Sequence, residues 1–283
     1  MKKLISVSIL LLMTNLFCSK QNDTIKNQDV KNPEIKKEVI EPEFGKILDS
    51  LNVKGSILIY DPKEKIFYSN DFVRAGTGKL PASTFKIPNS IIALETKIIE
   101  SDTTVFKWDG KKRNLKIWEK DLTFKEAFRF SCVPCYQEIA RKVGTERMKE
   151  YLTLLKYPGM IVDSATIDNF WLQGDSKISQ FQQIDFLERF YDFKLPISER
   201  TDRIMREILK FETSDNYILS GKTGWTMRNG EDIGWFVGYI ETKENLYFFA
   251  TNIEPAKNSD LDKFPEIRIL ATKRAFAKMG IAM

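Results

Sequence analysis

Three aromatic and β-branched runs lie close together in the last third of the chain: NYILSGKTGW, IGWFVGYIE and NLYFFATNI. Such composition is typical of β-strands, and the TKE segment between the last two runs is a turn. An earlier pair of runs, GSILIYD and KIFYSND, is joined by Pro62-Lys63-Glu64 and predicts a hairpin. A chain with strands near both ends and few between them must bring those ends together in a mainly antiparallel sheet.

Helical patterns separate the two groups of strands. Between about residues 101 and 193, TFKEAFRF, YQEIARKVGTERMKEYLTLL and ISQFQQIDFLERFYDF favour helices. The chain closes on an amphipathic run, FPEIRILATKRAFAKMG, with Pro265 near its start. Ala82–Ile99 also favours a helix, but Pro88 lies too deep for the first helical position, so we expect a distorted first turn. The predicted fold is α/β (α+β): a mainly antiparallel sheet flanked by helices, with an inserted all-helical lobe.

The N-terminal residues have a different character. Two lysines precede an apolar run that is too short to span a bilayer but has the size of a secretory signal core. Residues 1–18 are therefore predicted to be a signal peptide, and Cys18 to be a lipoprotein-type lipidation site, with ordinary cleavage nearby as the alternative. Residues 19–42 are polar and lack aromatic side chains, which predicts a flexible linker before a domain at 43–283. We expect an exported, periplasmic protein, tethered to the membrane if Cys18 carries lipid.

The chain contains no histidine. This absence excludes Ser-His-Asp triads, HExxH zinc sites and histidine-ligated iron. The formal net charge is +5, and lysines alternate with acidic residues instead of forming a basic tract, so nucleic acid is not an expected partner. A catalytic serine in this chain would need a base other than imidazole.

The first candidate for chemistry is PASTFKIPNS, in which Ser83 precedes Lys86 by three positions. Residues three apart on a helix are neighbours, so the Lys86 amine can reach the Ser83 hydroxyl. At a helix N-terminus, the Ser83 N–H can also point at a developing oxyanion. The pattern is common by chance, and an N-cap serine beside a solvated lysine is the alternative.

The second candidate is FSCVPCYQEIARKV, which allows two interpretations. Cys132 and Cys135 have the spacing of a thioredoxin-like redox motif, but that motif follows a strand and this one follows a helical pattern. We expect Cys132 and Cys135 to be two free thiols packed in the interior, and a disulfide formed in an oxidising compartment is the alternative. The other interpretation takes Ser131 and Val133 as the informative pair.

The third candidate is SGKTGW. Lys222 and Thr223 would place a cation and a hydroxyl at the edge of a strand, and Gly224 would let a ligand approach the backbone. Taken alone, the motif is also compatible with a plain turn before the next strand.

Together, in the order Ser-x-x-Lys, Ser-x-Val, Lys-Thr-Gly, these motifs resemble the serine penicillin-recognising enzymes, and within them the class D (oxacillinase-type) β-lactamases. PASTFKIPNSIIALE, SCVPCYQEIAR, DNFWLQG, LSGKTGW and GWFVGYIE match that family in order and near its spacing, from about Glu43 to the C-terminus. The resemblance implies a β-lactamase/transpeptidase-like fold. It also implies hydrolysis of β-lactam antibiotics through a Ser83 acyl-enzyme, and hence antibiotic resistance.

The resemblance further implies how this serine is activated. The motif lysine of the family reacts with carbon dioxide to form a carbamate, so Lys86 is predicted to be N6-carboxylysine and the general base for acylation and deacylation. CO₂ or bicarbonate would be needed, and no metal or other cofactor. Only a neutral amine reacts with CO₂, and apolar surroundings lower a lysine pKa. Val133, Trp171 and Leu172 would supply these surroundings, and the Trp171 indole N–H would support the carbamate.

The remaining roles also come from the resemblance. Ser131 and Lys222 would relay a proton to the β-lactam nitrogen. The backbone N–H groups of Ser83 and Trp225 would form the oxyanion hole. Thr223 and Arg268 would hold the substrate carboxylate; because Arg268 is matched only by its position in the last helix, a solvated helical arginine is the alternative.

One segment departs from the family pattern. Tyr157-Pro158-Gly159 stands where the family usually has Tyr-Gly-Asn. Proline removes an amide donor and fixes φ, so a differently shaped loop is expected and Tyr157 is left out of the catalytic set. Trp225 and Met227 follow the Lys-Thr-Gly motif and could shape the cleft entrance.

Two alternatives stay open beside hydrolysis. A penicillin-binding sensor or transpeptidase on the same fold would acylate at Ser83 but keep the acyl-enzyme. A lipid-anchored binding or redox protein with coincidental motifs would lose function in Cys132→Ser and keep it in Ser83→Ala, whereas a β-lactamase would show the reverse. The expected partners are small-molecule β-lactams, and the protein is expected to be a monomer or a homodimer.

Overall fold

We describe the fold from a computed structural model, which covers residues 36–228, 231–257 and 259–281. One large sheet forms the centre of this part of the chain. Its strands are β1 (Lys37–Ile40), β2 (Val53–Asp61), β3 (Ile66–Ser69), β6 (Lys210–Thr213), β7 (Tyr217–Arg228), β8 (Glu231–Thr242) and β9 (Leu246–Pro255), and a separate short pair is formed by β4 (Val105–Phe106) and β5 (Leu122–Thr123). The seven strands of the sheet are ordered β1-β3-β2-β9-β8-β7-β6. All neighbours in it are antiparallel except β1 and β3, which are parallel.

Helices cover both faces of this sheet. Side chains alternate along β2, so that Ile57 and Ile59 enter one hydrophobic core while Leu58 and Tyr60 enter the other. Helices α1 (Pro42–Ser50) and α9 (Phe264–Lys278) pack into the first core. The second core is larger and is covered by α2 (Phe72–Gly76), α3 (Lys86–Glu95), α4 (Phe124–Arg129), α5 (Val133–Val143), α6 (Thr145–Leu154), α7 (Gln180–Tyr191) and α8 (Glu199–Leu209).

The predicted fold class is confirmed, and so are several of its elements. The hairpin around Pro62-Lys63-Glu64 is present as β2 and β3, which are antiparallel. The expected distortion near Pro88 is present as a 3-10 helix at Ala82–Phe85 that leads directly into α3. Pro265 is at the first turn of α9, where a missing N–H is harmless.

Other boundaries differ from the prediction. β1 and the start of α1 lie inside the stretch assigned to the flexible linker, so ordered structure begins before Glu43 and that boundary is wrong. The helical run after Ser131 is divided at Gly144, whose φ of 79° separates α5 from α6. Helix α8 lies beyond the predicted end of the helical lobe.

The signal peptide, Cys18 and residues 19–35 of the predicted linker lie outside the described residues. Among the residues that the structure describes, no helix combines the length and the apolar character needed to cross a membrane.

Candidate active site

Ser83 and Lys86 are in direct contact at the start of α3. The Lys86 Nζ donates a hydrogen bond to the Ser83 Oγ at 3.0 Å. The residue before this serine, Ala82, has a left-handed φ of 51°, which a non-glycine residue adopts only when its surroundings hold it there. One restraint is Thr84, whose hydroxyl donates to the Pro81 carbonyl at 2.7 Å. The turn thus fixes the hydroxyl of Ser83 toward the amine.

The Lys86 side chain is completely buried. Its Nζ lies 4.9 Å from the centre of the Tyr136 ring, and the described residues offer it no acidic partner. Desolvation by this burial lowers the Lys86 pKa from an ordinary value of 10.5 to about 7. Near neutral pH, a large share of the amine is therefore unprotonated and nucleophilic.

Trp171 brings an unused hydrogen-bond donor into the same region. Its indole stacks on Phe85, the residue directly before Lys86, with 5.5 Å between ring centres. The side chain is fully buried, and its Nε1 has no hydrogen-bond partner among the described residues. A buried donor without a partner costs about 1–3 kcal/mol, so an anionic group next to Lys86 would satisfy a donor that the described residues leave unpaired.

Ser131 and Lys222 form a second serine–lysine pair from distant parts of the chain. The Lys222 Nζ donates to the Ser131 Oγ at 2.5 Å and to the Thr223 carbonyl at 3.0 Å. Lys222 is buried, and desolvation holds its pKa well below the usual range, with the positive charges of Lys86 and Arg268 acting in the same direction. Lys222 is on β7, the strand that also approaches the Ser83 turn at Gly224, so the two pairs belong to one site.

Gly224 brings β7 against the Ser83 turn. A Cβ atom at this glycine would lie 3.2 Å from the Ser83 backbone nitrogen and 3.2 Å from the Pro81 carbonyl oxygen. That is closer than almost any real side-chain contact, so only glycine permits this approach without displacement. The approach brings β7, on which Trp225 directly follows Gly224, against the turn that carries Ser83.

Arg268 reaches the same strand from α9. Its Nη1 donates to the Gly224 carbonyl at 2.6 Å, and its Nε is buried without a hydrogen-bond partner among the residues that the structure describes. The residue is only 9% exposed, and desolvation lowers its pKa to about 10. The alternative of a solvated helical arginine is therefore wrong. Thr223, half-buried on β7, precedes Gly224 directly.

Val133 and Leu172 line a common cavity of about 410 Å³. The loop that carries Trp171 and Leu172 is tied to β7, because the Thr226 hydroxyl donates to the Leu172 carbonyl at 2.8 Å. Trp225 is 39% exposed, and its indole N–H donates to Asp232 at 2.6 Å. The Ser-x-Val, Trp-Leu and Lys-Thr-Gly segments thus meet, although they are far apart in sequence.

Cys132 and Cys135 form a disulfide, with their Cα atoms 5.4 Å apart. The expectation of two packed thiols is wrong. The segment before these cysteines is α4, a helix, and so it lacks the strand that a thioredoxin-like motif requires.

Tyr157 has a structural position. It is buried, and its hydroxyl donates to the Gln183 Oε1 at 3.3 Å. The Gln183 amide donates in turn to the Thr84 hydroxyl at 2.8 Å, so Tyr157 supports the turn that carries Ser83. Gly159 has a φ of 76°, and a Cβ there would lie 1.9 Å from the Lys177 carbonyl oxygen. Glycine therefore stands where the family has asparagine, at a backbone position with no room for a side chain.

Sequence reasoning missed two residues next to this site. Tyr136 forms part of the burial around the Lys86 amine, and its hydroxyl is hydrogen-bonded to the Ser90 Oγ at 2.7 Å. Ser90 lies one turn after Lys86 on α3, so helical spacing could have placed it on the same face. Nothing local distinguishes Tyr136 from an ordinary core aromatic residue.

The family model for the penicillin binding protein transpeptidase domain matches residues 52–267. Beta-lactamase OXA-10 of Pseudomonas aeruginosa is 42% identical over 74% of this chain and 79% of its own length. A class D β-lactamase structure from Nostoc, YbXI, is 43% identical with a TM-score of 0.80, covering 84% of this chain and 99% of its own. Another, from Sebaldella termitidis, is 38% identical with a TM-score of 0.83, covering 88% of this chain and 100% of its own.

These relatives cover most of the chain, and the sequence motifs meet at one buried site in the fold. The chain belongs to the penicillin-binding protein transpeptidase family and, within it, to the class D serine β-lactamases.

Proposed function

We propose that this protein hydrolyses β-lactam antibiotics through an acyl-enzyme on Ser83 and so confers resistance. The observation that carries the proposal is the contact between the Ser83 hydroxyl and a lysine amine that is completely buried. A lysine in this setting can be neutral, and it supplies what a chain without histidine needs to activate a serine.

In the acylation step, the Ser83 Oγ attacks the lactam carbonyl carbon. The N–H groups of Ser83 and Trp225 receive the charge that develops on the carbonyl oxygen. As the ring C–N bond breaks, its nitrogen takes a proton from the Ser131 hydroxyl, which Lys222 replenishes through their hydrogen bond. Thr223 and Arg268 hold the substrate carboxylate, Arg268 by a guanidinium that is already fixed against β7.

When carboxylated, Lys86 supplies the general base that takes the Ser83 proton and later activates the hydrolytic water. Two features of the site fit this modification. The amine has a lowered pKa, which favours reaction with CO₂. The Trp171 Nε1 is a buried donor without a partner among the described residues, and it is available to an anion at this place.

The extent of Lys86 carboxylation should rise with pH between 6 and 8. Deprotonation of an amine with a pKa of about 7 increases the reactive fraction from about one tenth at pH 6 to about nine tenths at pH 8. The measurement is the carbamate carbon signal in ¹³C NMR after adding ¹³C-bicarbonate, with dissolved CO₂ held constant across the pH series.

Trp171→Phe is the matched control for that titration. Phenylalanine keeps the buried aromatic ring on Phe85 but lacks the indole N–H. The carbamate signal should be weaker than in the wild type at every pH, and added bicarbonate should restore only part of the activity. A wild-type signal that is absent, or that does not change between pH 6 and 8, would contradict the proposed base.

The test of the function itself is mass spectrometry of the protein mixed with benzylpenicillin in bicarbonate buffer. Catalytic conversion of the drug to its hydrolysed form supports the β-lactamase. A single adduct that forms on Ser83 and persists would instead indicate a sensor or a transpeptidase. If neither product nor adduct forms, the proposed function is wrong.

We also propose that the protein is exported to the periplasm and tethered by lipid on Cys18. The support is the short apolar run before this cysteine and the polar stretch after it. Cys18→Ser should move the protein from the membrane fraction to the soluble fraction and remove the acyl mass from its N-terminal peptide. A wild-type protein that is soluble and carries no lipid would contradict the tether.

A further inference from the structure

Ser131 has an unusual backbone conformation for a residue with a side chain. Its φ is 52°, in the left-handed region. This conformation is unfavourable for a non-glycine residue and persists only where neighbouring contacts impose it. Since the Ser131 hydroxyl accepts the hydrogen bond from Lys222, whatever imposes this φ also aims the hydroxyl.

Non-covalent contacts restrain the chain on both sides of Ser131. Before it, the Trp118 indole N–H donates to the Phe130 carbonyl at 2.9 Å. After it, the Cys132 N–H donates to the Ala127 carbonyl at 2.9 Å. Each of these is a single hydrogen bond, whose net contribution is small, so neither alone is expected to hold a strained backbone conformation.

The Cys132–Cys135 disulfide adds a covalent restraint at the same place. Cys132 is the N-cap of α5, and Cys135 lies in the first turn of that helix. The bond therefore fixes the residue next to Ser131 against a rigid element. Both cysteines are buried, and they line a cavity of about 260 Å³ together with Trp118, the residue that restrains the chain from the other side.

We propose that the Cys132–Cys135 disulfide is a positioning element that holds the Ser131 hydroxyl on Lys222, so that full-rate acylation requires the oxidised protein. The proposal rests on the proposed function, because it assigns Ser131 to proton delivery during ring opening. Reduction by a dithiol such as dithiothreitol breaks the S–S bond and gives two cysteine thiols, while the dithiol is oxidised to its cyclic disulfide. No substrate atom takes part in that exchange.

The decisive variant is Cys132→Ser/Cys135→Ser. Serine is itself a good N-cap, so this double variant keeps the cap of α5 and removes only the covalent link. We expect the acylation rate constant for a chromogenic cephalosporin to fall about 10-fold, as for displacements well under 1 Å of a reacting group. The deacylation rate constant should stay unchanged, because Ser131 acts in ring opening.

Dithiothreitol gives the same comparison without mutation. Reduced wild-type protein, with both thiols shown by alkylation and peptide mass spectrometry, should acylate as slowly as the double variant. The double variant should not respond to the reagent, which controls for other effects of dithiothreitol. The thermal midpoint of each form, measured in the same buffer, shows that the protein remains folded in the assay.

Three outcomes would overturn the proposal. An unchanged acylation rate in both the reduced protein and the double variant would mean that the disulfide stabilises the fold and does not position Ser131. An equal fall in acylation and deacylation would indicate a general loosening of the site. Free thiols at both cysteines in protein purified without reductant would show that the disulfide does not form. If the oxidised wild type fails to acylate Ser83 at all, the proposed function fails first, and that result is distinct from the other three.

Discussion

Ser83→Ala should abolish β-lactam hydrolysis, with kcat reduced roughly 10⁴-fold or more. The Ser83 hydroxyl is the group that the Lys86 amine contacts, and in the proposed reaction it forms the bond to substrate. Removing it takes away the nucleophile while leaving the amine, the strand β7 and the second serine–lysine pair in place. The measurement is the initial rate of benzylpenicillin hydrolysis, together with mass spectrometry of the protein, which should show no adduct.

Ser56→Ala is a suitable control for that variant. Ser56, like Ser83, is a buried serine; it is hydrogen-bonded to Gln180 and lies on β2, outside both serine–lysine pairs. Its loss should lower stability and leave kcat nearly unchanged. Normal turnover by Ser83→Ala, combined with loss of function in Cys132→Ser, would instead favour the redox or binding protein with coincidental motifs.

Lys86→Ala should convert the enzyme into one that traps its substrate. Acylation should be slow, and deacylation should fall about 10³-fold, the typical contribution of a general base. The acyl-enzyme should therefore accumulate, and its mass should equal the sum of protein and intact penicillin. Time-resolved mass spectrometry measures the formation and the decay of this species in one experiment.

Lys243→Ala provides a matched loss of charge at an exposed lysine in the turn between β8 and β9. This control should hydrolyse penicillin at the wild-type rate. Bicarbonate should stimulate it as it stimulates the wild type, and should have no effect on Lys86→Ala. Normal turnover by the Lys86 variant would refute the lysine as general base and leave the nucleophile without an identified activator.

The sequence predicts those parts of the fold that depend on local pattern. β7, β8 and β9 are recognisable because each is ten or more residues long and rich in aromatic and β-branched residues. β1 could not be recognised, because its four residues, KEVI, resemble the linker before them and are defined only by pairing with β3. Helix α8 was missed because its sequence, ERTDRIMREIL, is mostly polar, although Met205, Ile208 and Leu209 are buried.

The contacts of the active site also divide into those that a local sequence pattern predicts and those that depend on the fold. The Ser83–Lys86 contact follows from helical spacing, so residue chemistry alone suggests it. The Lys222–Ser131 contact joins residues 91 positions apart, and no local rule could bring them together. The resemblance to a family supplied that pairing. The disulfide lay beyond both kinds of reasoning, because the spacing of Cys132 and Cys135 is compatible with either oxidation state.

The close approach of Gly224 to Ser83 has a consequence for inhibitor design. Resistance to an inhibitor often arises when side chains in contact with it are exchanged. At Gly224, a Cβ would lie 3.2 Å from the Ser83 amide nitrogen, so a side chain introduced there would press on the backbone that carries the nucleophile as well as on the inhibitor. A compound that forms its main hydrogen bonds with the backbone of this strand would leave the enzyme few ways to escape without losing its own activity.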